Sequence, residues 1–222
     1  MSRSSSSLVS RSRPSVRPPG ETKPAGNPRR ISTSETSPLF LRTLKTPLGW
    51  IAYQGTERGI TLLTFGHRSR KDALERMDFA SIWNGPEQAP MKNSAESLPK
   101  WVSEAEAKLL AYASGEPVDL AGIPCDLPEG TRFERRVREA LGRVRYGQTI
   151  SYGELAEAAG APRAARAVGS VMARNRIPLI IACHRVLAAG GKLGGYSAPS
   201  GLTMKERLLH MEQETGPGEN VP

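Results

Sequence analysis

The chain has 222 residues, with 31 Lys and Arg against 22 Asp and Glu for a formal charge of +9, and it is long enough to bury one large core or two small ones. Its two cysteines, Cys125 and Cys183, exclude a disulfide framework and a zinc cluster built of cysteines. The charge is uneven, with a net +5 over residues 1–36, −2 over 37–130 and +8 over 131–212, so the tail and the C-terminal half are where a polyanion such as DNA would be drawn by phosphate neutralisation.

Residues 1–36 are rich in Ser, Arg and Pro and have no apolar stretch longer than Leu8-Val9. They offer neither a secretory signal nor a membrane span and read as a disordered basic tail. Two β-rich runs follow, Leu48–Tyr53 and Ile60–Phe65, separated by a Gly-bearing loop in the manner of a hairpin. Residues 69–79 are compatible with a helix, and 84–99 are polar and punctuated by proline. Trp101, Ala105, Leu109 and Tyr112 then recur at helical spacing until Ser114-Gly115 stops them. These patterns predict a small unit over 37–115, with Trp50, Trp83 and Trp101 as core, followed by a Pro- and Gly-bearing linker over 116–130.

A second unit, 131–213, opens on Thr131-Arg132-Phe133-Glu134, whose hydroxyl and carboxylate can cap a helix reciprocally. Phe133, Val137, Leu141 and Val144 line one face of that helix. A second such box, Ser151-Tyr152-Gly153-Glu154, starts a short helix closed by Gly160. Pro162 is placed to begin the next, Ala-rich helix, which runs to about Arg174. Two short helices joined by a tight turn, the second carrying small residues with Arg163, Arg166 and Arg174, suit a DNA groove, although ordinary helix packing also favours small residues. After Asn175, the run Ile177–Ile181 reads as a buried strand that delivers Ala182-Cys183-His184-Arg185 to its end. Glycines 190, 191, 194 and 195 make a flexible return. Leu202, Leu208, Leu209 and Met211 form the stripe of a final helix that carries Glu212 back towards the cysteine, ahead of a short tail over 214–222.

A Cys-His dipeptide alone is weak evidence, because free cysteines are among the most often buried residues. Taken with Tyr152, the run Pro162–Gly169, Asn175, Gly194-Gly195-Tyr196-Ser197, Lys205 and Glu212, however, the segment Ile181-Ala182-Cys183-His184-Arg185-Val186 resembles the O6-alkylguanine-DNA alkyltransferases, or methylated-DNA-protein-cysteine methyltransferases. The likeness is dense over about 131–212 and looser over 46–65, where Thr46-Pro47-Leu48-Gly49-Trp50 looks like the family's opening strand. It implies an α+β fold: a small ribonuclease H-like N-terminal α/β domain, then a mostly helical winged helix-turn-helix-like domain for DNA binding and catalysis.

The resemblance also implies a reaction. Cys183 would take an alkyl group, methyl foremost, from O6 of guanine in double-stranded DNA, once per molecule and without cofactor or metal; alkylated thymine stays open as a second substrate. The nucleophile must be a thiolate, and an ordinary cysteine is mostly protonated at neutral pH. His184 would take the proton, directly or through one water, with Glu212 holding its other nitrogen. The base must leave the stack to be reached. By resemblance Arg166 fills the gap, Tyr152 crowds the 3′ phosphate and donates to the purine, and Asn175 ties the recognition helix to the active-site turn. Arg163, Ala164, Ala165 and Gly169 would face DNA. The carbonyls of Cys183 and Val186, with Tyr196, Ser197 and Lys205, would form the base pocket, and Arg185 would pin the turn. The family further suggests a monomer, without membrane attachment, in the cytoplasm, on the nucleoid of a bacterium or in a eukaryotic nucleus.

This chain departs from the family at Ala182 and Arg176, where proline is usual, and at Arg138, commonly tryptophan. Its Tyr196–Leu202 loop is slightly longer than in compact members, and the first unit lacks the Cys and His ligands of the members that bind structural zinc. Three rival readings remain at this point: a lesion-binding protein that does not repair, a helix-turn-helix transcription regulator and a Cys-His hydrolase. Cys183 itself weighs against the first, since the cysteine is replaced in those relatives.

Overall fold

A three-stranded antiparallel sheet in the order β1-β2-β3 begins the structure, a computed structural model that describes residues 40–84 and 98–216. The basic tail, most of the polar segment 84–99 and residues 217–222 lie outside the described residues. β2 (Gly49–Thr56) and β3 (Gly59–His67) form the expected hairpin, but the strands are longer and the turn shorter, only Glu57-Arg58 separating the paired Thr56 and Gly59. β1 (Phe40–Thr46) pairs with β2 along its whole length and had no signal of its own in the sequence. Gly49 makes the β1–β2 corner possible: its φ is +99°, and a Cβ there would lie 2.8 Å from the His67 carbonyl.

Alternation along β2 and β3 gives the sheet two apolar faces. Ala52 and Leu62 pack with Ala73 and Met77 of α1 (Arg70–Asn84). Ile51, Tyr53, Leu63 and Phe65 face α2 (Trp101–Ala113), whose Val102, Ala105, Leu109 and Tyr112 are buried. Segment 116–130 is fastened along β3 rather than loose. Ile60 N donates to Pro124 O and Asp126 N to Ile60 O, both at 2.9 Å, while Leu120 and Ile123 join the core.

Both capping boxes form, at α3 (Arg132–Leu141) and at α4 (Tyr152–Ala158), with the side-chain and backbone bonds of each present. With α5 (Ala165–Ala173) these helices enclose a second core of Val137, Leu141, Leu155, Val168 and Met172, joined by Cys183 and Val186. A short parallel pair, β4 (Ile150–Ser151) with β5 (Val186–Leu187), connects the start of α4 to the chain just after the cysteine.

Three expectations are corrected. α5 starts at Ala165, not Pro162, because Pro162 and Arg163 form a turn in which Arg163 has φ +74°. Residues 177–181 are a turn, not a strand: Leu179 has φ +72° and Ile181 N bonds back to Ile177 O at 2.9 Å. That run is apolar because Ile177 and Leu179 plug into the core beneath the sheet. On α6 (Gly201–Thr215) the buried side is Met204, Lys205, Leu208, Leu209 and Glu212, while Leu202 is 48% exposed and Met211 only half-buried. The described residues belong to one compact unit of mixed α and β structure, and none of their helices is long and apolar enough to cross a membrane.

Candidate active site and DNA-facing surface

Cys183, His184 and Arg185 form a single 3-10 turn, all three buried, between the 177–181 turn and β5. Asn175 holds the approach to it. Its Nδ2 donates to Ile181 O at 2.7 Å and to Cys183 Sγ at 3.1 Å, and its Oδ1 accepts from Ile177 N at 3.1 Å. Burial pushes the Cys183 thiol above its ordinary pKa, and the Asn175 hydrogen bond and the charge of Lys205 draw it part of the way back. The balance favours the protonated thiol at rest.

His184 is fully buried, and its Nε2 meets Glu212 Oε1 at 2.9 Å. A carboxylate on that side fixes the proton on Nε2 and leaves Nδ1 as the acceptor; Nδ1 has no hydrogen-bond partner among the described residues. Burial lowers the His184 pKa against the upward pull of Glu212, so the ring rests neutral. Glu212 is bound from several sides. Arg185 Nε donates to Oε2 and Arg185 Nη2 to Oε1, both at 2.9 Å, and Gly147 N donates to Oε2 at 3.1 Å. Burial alone would raise the pKa of this carboxyl, yet His184 and Arg185 hold it at about 2. Arg185 Nη1 also donates to Val144 O at 2.8 Å, pinning the turn as expected.

One contributor had no signal in the motif. Tyr112, on α2 in the sheet-bearing half, donates its hydroxyl to Glu212 Oε1 at 2.6 Å and stands 3.3 Å from His184 Nε2. Its helical spacing marked it as core, which it is, but spacing says nothing about where a buried hydroxyl must find a partner.

The other sequence-derived residues fall into two groups. Around the turn, Lys205 is buried with Nζ donating to Val186 O at 2.6 Å and also to Leu193 O. The Val186 carbonyl thus already has one donor and keeps a second lone pair. Tyr196 presents a buried hydroxyl with no partner among the described residues. With Ser197, Asn175 and Ile181 it lines a groove of about 790 Å³. Tyr152, at the start of α4, has its ring between Gly169 of α5 and Gly194 of the return loop, where added Cβ atoms would come within 3.9 and 3.2 Å of it. Burial raises the Tyr152 pKa and keeps it a phenol. On the outer surface Arg163 and Arg166 are exposed, while Ala164, Ala165 and Gly169 are half-buried. Arg174, also exposed, pairs with Glu134 of the α3 capping box at 2.9 Å.

Of the family departures, Ala182 has φ −72°, the value a proline ring would impose. Arg138 donates to Glu129 O at 3.1 Å, and Arg176 is half-buried with Nε unpartnered among the described residues. No group of three or more His, Cys, Asp or Glu among the described residues is arranged to hold a metal ion.

A family model described as 6-O-methylguanine DNA methyltransferase, DNA binding domain, matches residues 132–214. The chain is 50% identical over 111 residues to the methylated-DNA–protein-cysteine methyltransferase of Mycobacterium leprae, covering 50% of this chain and 65% of that one. Among solved structures it is similar to Mycobacterium tuberculosis O6-methylguanine methyltransferase, with 33% identity, a TM-score of 0.59 and coverage of 82% and 96% of the two chains. It is similar also to Mycobacterium tuberculosis OGT in complex with DNA, with 33% identity, a TM-score of 0.60 and coverage of 80% and 95%. The methylated-DNA–protein-cysteine methyltransferase of Methanosarcina acetivorans is 36% identical over 175 residues, 78% of this chain and 98% of the relative. Identity at that level, sustained across almost the whole of the archaeal protein, makes this chain a member of the methylated-DNA–protein-cysteine methyltransferase family.

Proposed function

We propose that this protein repairs alkylated DNA directly, moving the alkyl group from O6 of a flipped-out guanine to the Cys183 sulfur in a single turnover. The observation that carries this reading is the buried Cys183 thiol on one turn with a neutral His184, whose second nitrogen rests on an ionised Glu212. The Cys183 proton passes through one water to His184 Nδ1, and the thiolate attacks the alkyl carbon. The sulfur–carbon bond forms as the carbon–O6 bond breaks. The electron pair stays on the purine, and Tyr152, a phenol at neutral pH, donates a hydrogen bond to its ring nitrogen. A thioether is the product, and nothing in the reaction regenerates the thiol.

DNA is held by the basic C-terminal half, with a net +8 over residues 131–212. Arg166, exposed on α5, enters the stack where the base has left, and Arg163 meets a phosphate. Ala164, Ala165 and Gly169 allow α5 to approach closely. Tyr196 and Ser197 wall the pocket, the carbonyls of Cys183 and Val186 accept from the guanine amine, Lys205 braces the loop from behind, and Asn175 holds the turn to α5. In this reading residues 37–115 form the ribonuclease H-like domain, 116–130 the connection and 131–213 the winged helix-turn-helix-like domain, and the protein acts as a monomer.

The test is intact-protein and peptide mass spectrometry after incubation with duplex DNA bearing one O6-methylguanine, beside Cys183→Ala. One methyl per protein, on the Cys183 peptide only, is expected. Tight lesion binding without transfer would make the protein a non-repairing binder, and neither binding nor transfer would return the regulator reading.

A further inference from the structure

Glu212 Oε1 accepts from three groups: Arg185 Nη2 at 2.9 Å, His184 Nε2 at 2.9 Å and Tyr112 OH at 2.6 Å. Two of these come from the active-site turn, as a site assembled within the C-terminal half would require. The third, with the shortest of the three distances, comes from α2, 100 residues before Glu212 in sequence. Through it the sheet-bearing half reaches the carboxylate that holds His184. Tyr112 is fully buried, its ring edge-on to Tyr146 at 5.9 Å, and the guanidinium of Arg185 lies over that second ring, 5.9 Å from its centre. The phenol is thus clamped and cannot swing away from the carboxylate without repacking.

We propose that Tyr112 is a positioning residue of the proton relay, its hydroxyl held on Glu212 Oε1 so as to set how strongly that carboxylate draws on His184. The inference rests on the direct-repair reading for its consequence in rate, but not for its effect on the imidazole. A hydrogen bond to a carboxylate stabilises its charge and reduces what it offers to a second donor on the same oxygen. Tyr112 and His184 share Oε1, so the tyrosine moderates the carboxylate's pull on the imidazole. That moderation adds to burial in keeping His184 neutral at rest, free to accept through Nδ1, and keeps the proton on the ring rather than on Glu212 once it arrives. The titratable and charged groups acting on His184 are Glu212 and Lys205 from α6, Arg185 on its own turn and Tyr112 from α2; the charges of Arg185 and Lys205 oppose an imidazolium. Burial further holds the Tyr112 phenol far above its ordinary pKa, so it stays a donor throughout the working range.

Tyr112→Phe removes one donor and no ring. The freed carboxylate then favours the imidazolium, so the His184 titration moves to higher pH, and the acid limb of the methyl-transfer rate moves with it. The variant is slower at neutral pH and below, by less than the roughly 10²–10⁴-fold expected for deleting a general base, and its rate converges on wild type above the acid limb. A role confined to packing would lower the melting temperature and the rate at every pH alike. The chain has only three histidines, so nitrogen NMR of labelled protein follows His184 against pH without any DNA. Should Tyr112→Phe fail to fold, 3,5-difluorotyrosine at position 112, a stronger donor of the same shape, moves the same midpoint to lower pH. A His184 midpoint unmoved in both variants overturns the proposal. Absence of methyl transfer in the wild type would instead remove the direct-repair reading and leave the NMR midpoint to decide the role of Tyr112.

Discussion

Ala182 already has the backbone angle of a proline, so Ala182→Pro is expected to fit without strain. It should narrow the unfolded ensemble and raise stability by about 0.4–1 kcal/mol, measured by thermal or urea unfolding. The stiffer turn should hold the sulfur nearer its attacking position and speed methyl transfer; a slower variant would show that the turn needs its freedom. Glu212 makes a different prediction, about acid. Its pKa of about 2 lies below the ordinary 4.5, so its ionised form stabilises the fold fully above about 4.5, and that contribution is lost as pH falls towards 2. The shift corresponds to a contribution on the order of 3 kcal/mol. Unfolding free energy followed from pH 6 to pH 3 should fall, and Glu212→Gln, already weaker at neutral pH, should show a flatter dependence. Equal slopes would mean that other carboxylates govern acid unfolding.

The helix starts show what local sequence can specify. A capping box is complete within four residues, so Thr131–Glu134 and Ser151–Glu154 could be read from the chain and recur in the structure with every bond present. The start of α5 could not. Proline suits a first helical position, but Arg163 sits in a left-handed conformation that no local rule favours for arginine. Arg163→Gly is accordingly expected to raise stability by up to about 1 kcal/mol through relief of that backbone. If the exposed guanidinium meets a phosphate, the same change should weaken DNA binding for every sequence and reduce the slope of log K against log salt by about one. Unchanged affinity across a salt titration would remove Arg163 from the DNA surface. The 177–181 run departs from the expected strand for a related reason. A short apolar stretch fits a buried strand and a buried turn equally well, and the choice was made by Leu63 N bonding to Arg176 O and by the core closing over Ile177 and Leu179. The site was legible where its residues cluster in the motif, and illegible at Tyr112, whose partner lies 100 residues away.

Across the whole chain, the larger core is not the property of either half. Ile177, Leu179, Met204 and Leu208 pack with Phe40, Ile51, Phe65, Leu109 and Ile123 in one cluster. A fragment spanning 131–216 would expose that first set and lose the Tyr112 hydrogen bond to Glu212. It should melt at a lower temperature, bind a hydrophobic dye and transfer methyl poorly even though it keeps Cys183, His184 and Glu212; a fragment as stable and active as the full chain would show that the shared cluster is dispensable.

The same cluster orders events during synthesis. Translation delivers the β1–β3 sheet and then α2 onto its larger apolar face, but the cluster between them is closed only when Ile177, Leu179 and then α6 arrive. Until then the nascent chain keeps part of that apolar cluster open, and chaperones are its natural cover. Closure of that surface by α6 is also the event that brings Glu212 against His184. On the proposed mechanism the relay is thus assembled at the same step that completes the fold, and a polypeptide still lacking α6 holds a cysteine that is not yet armed.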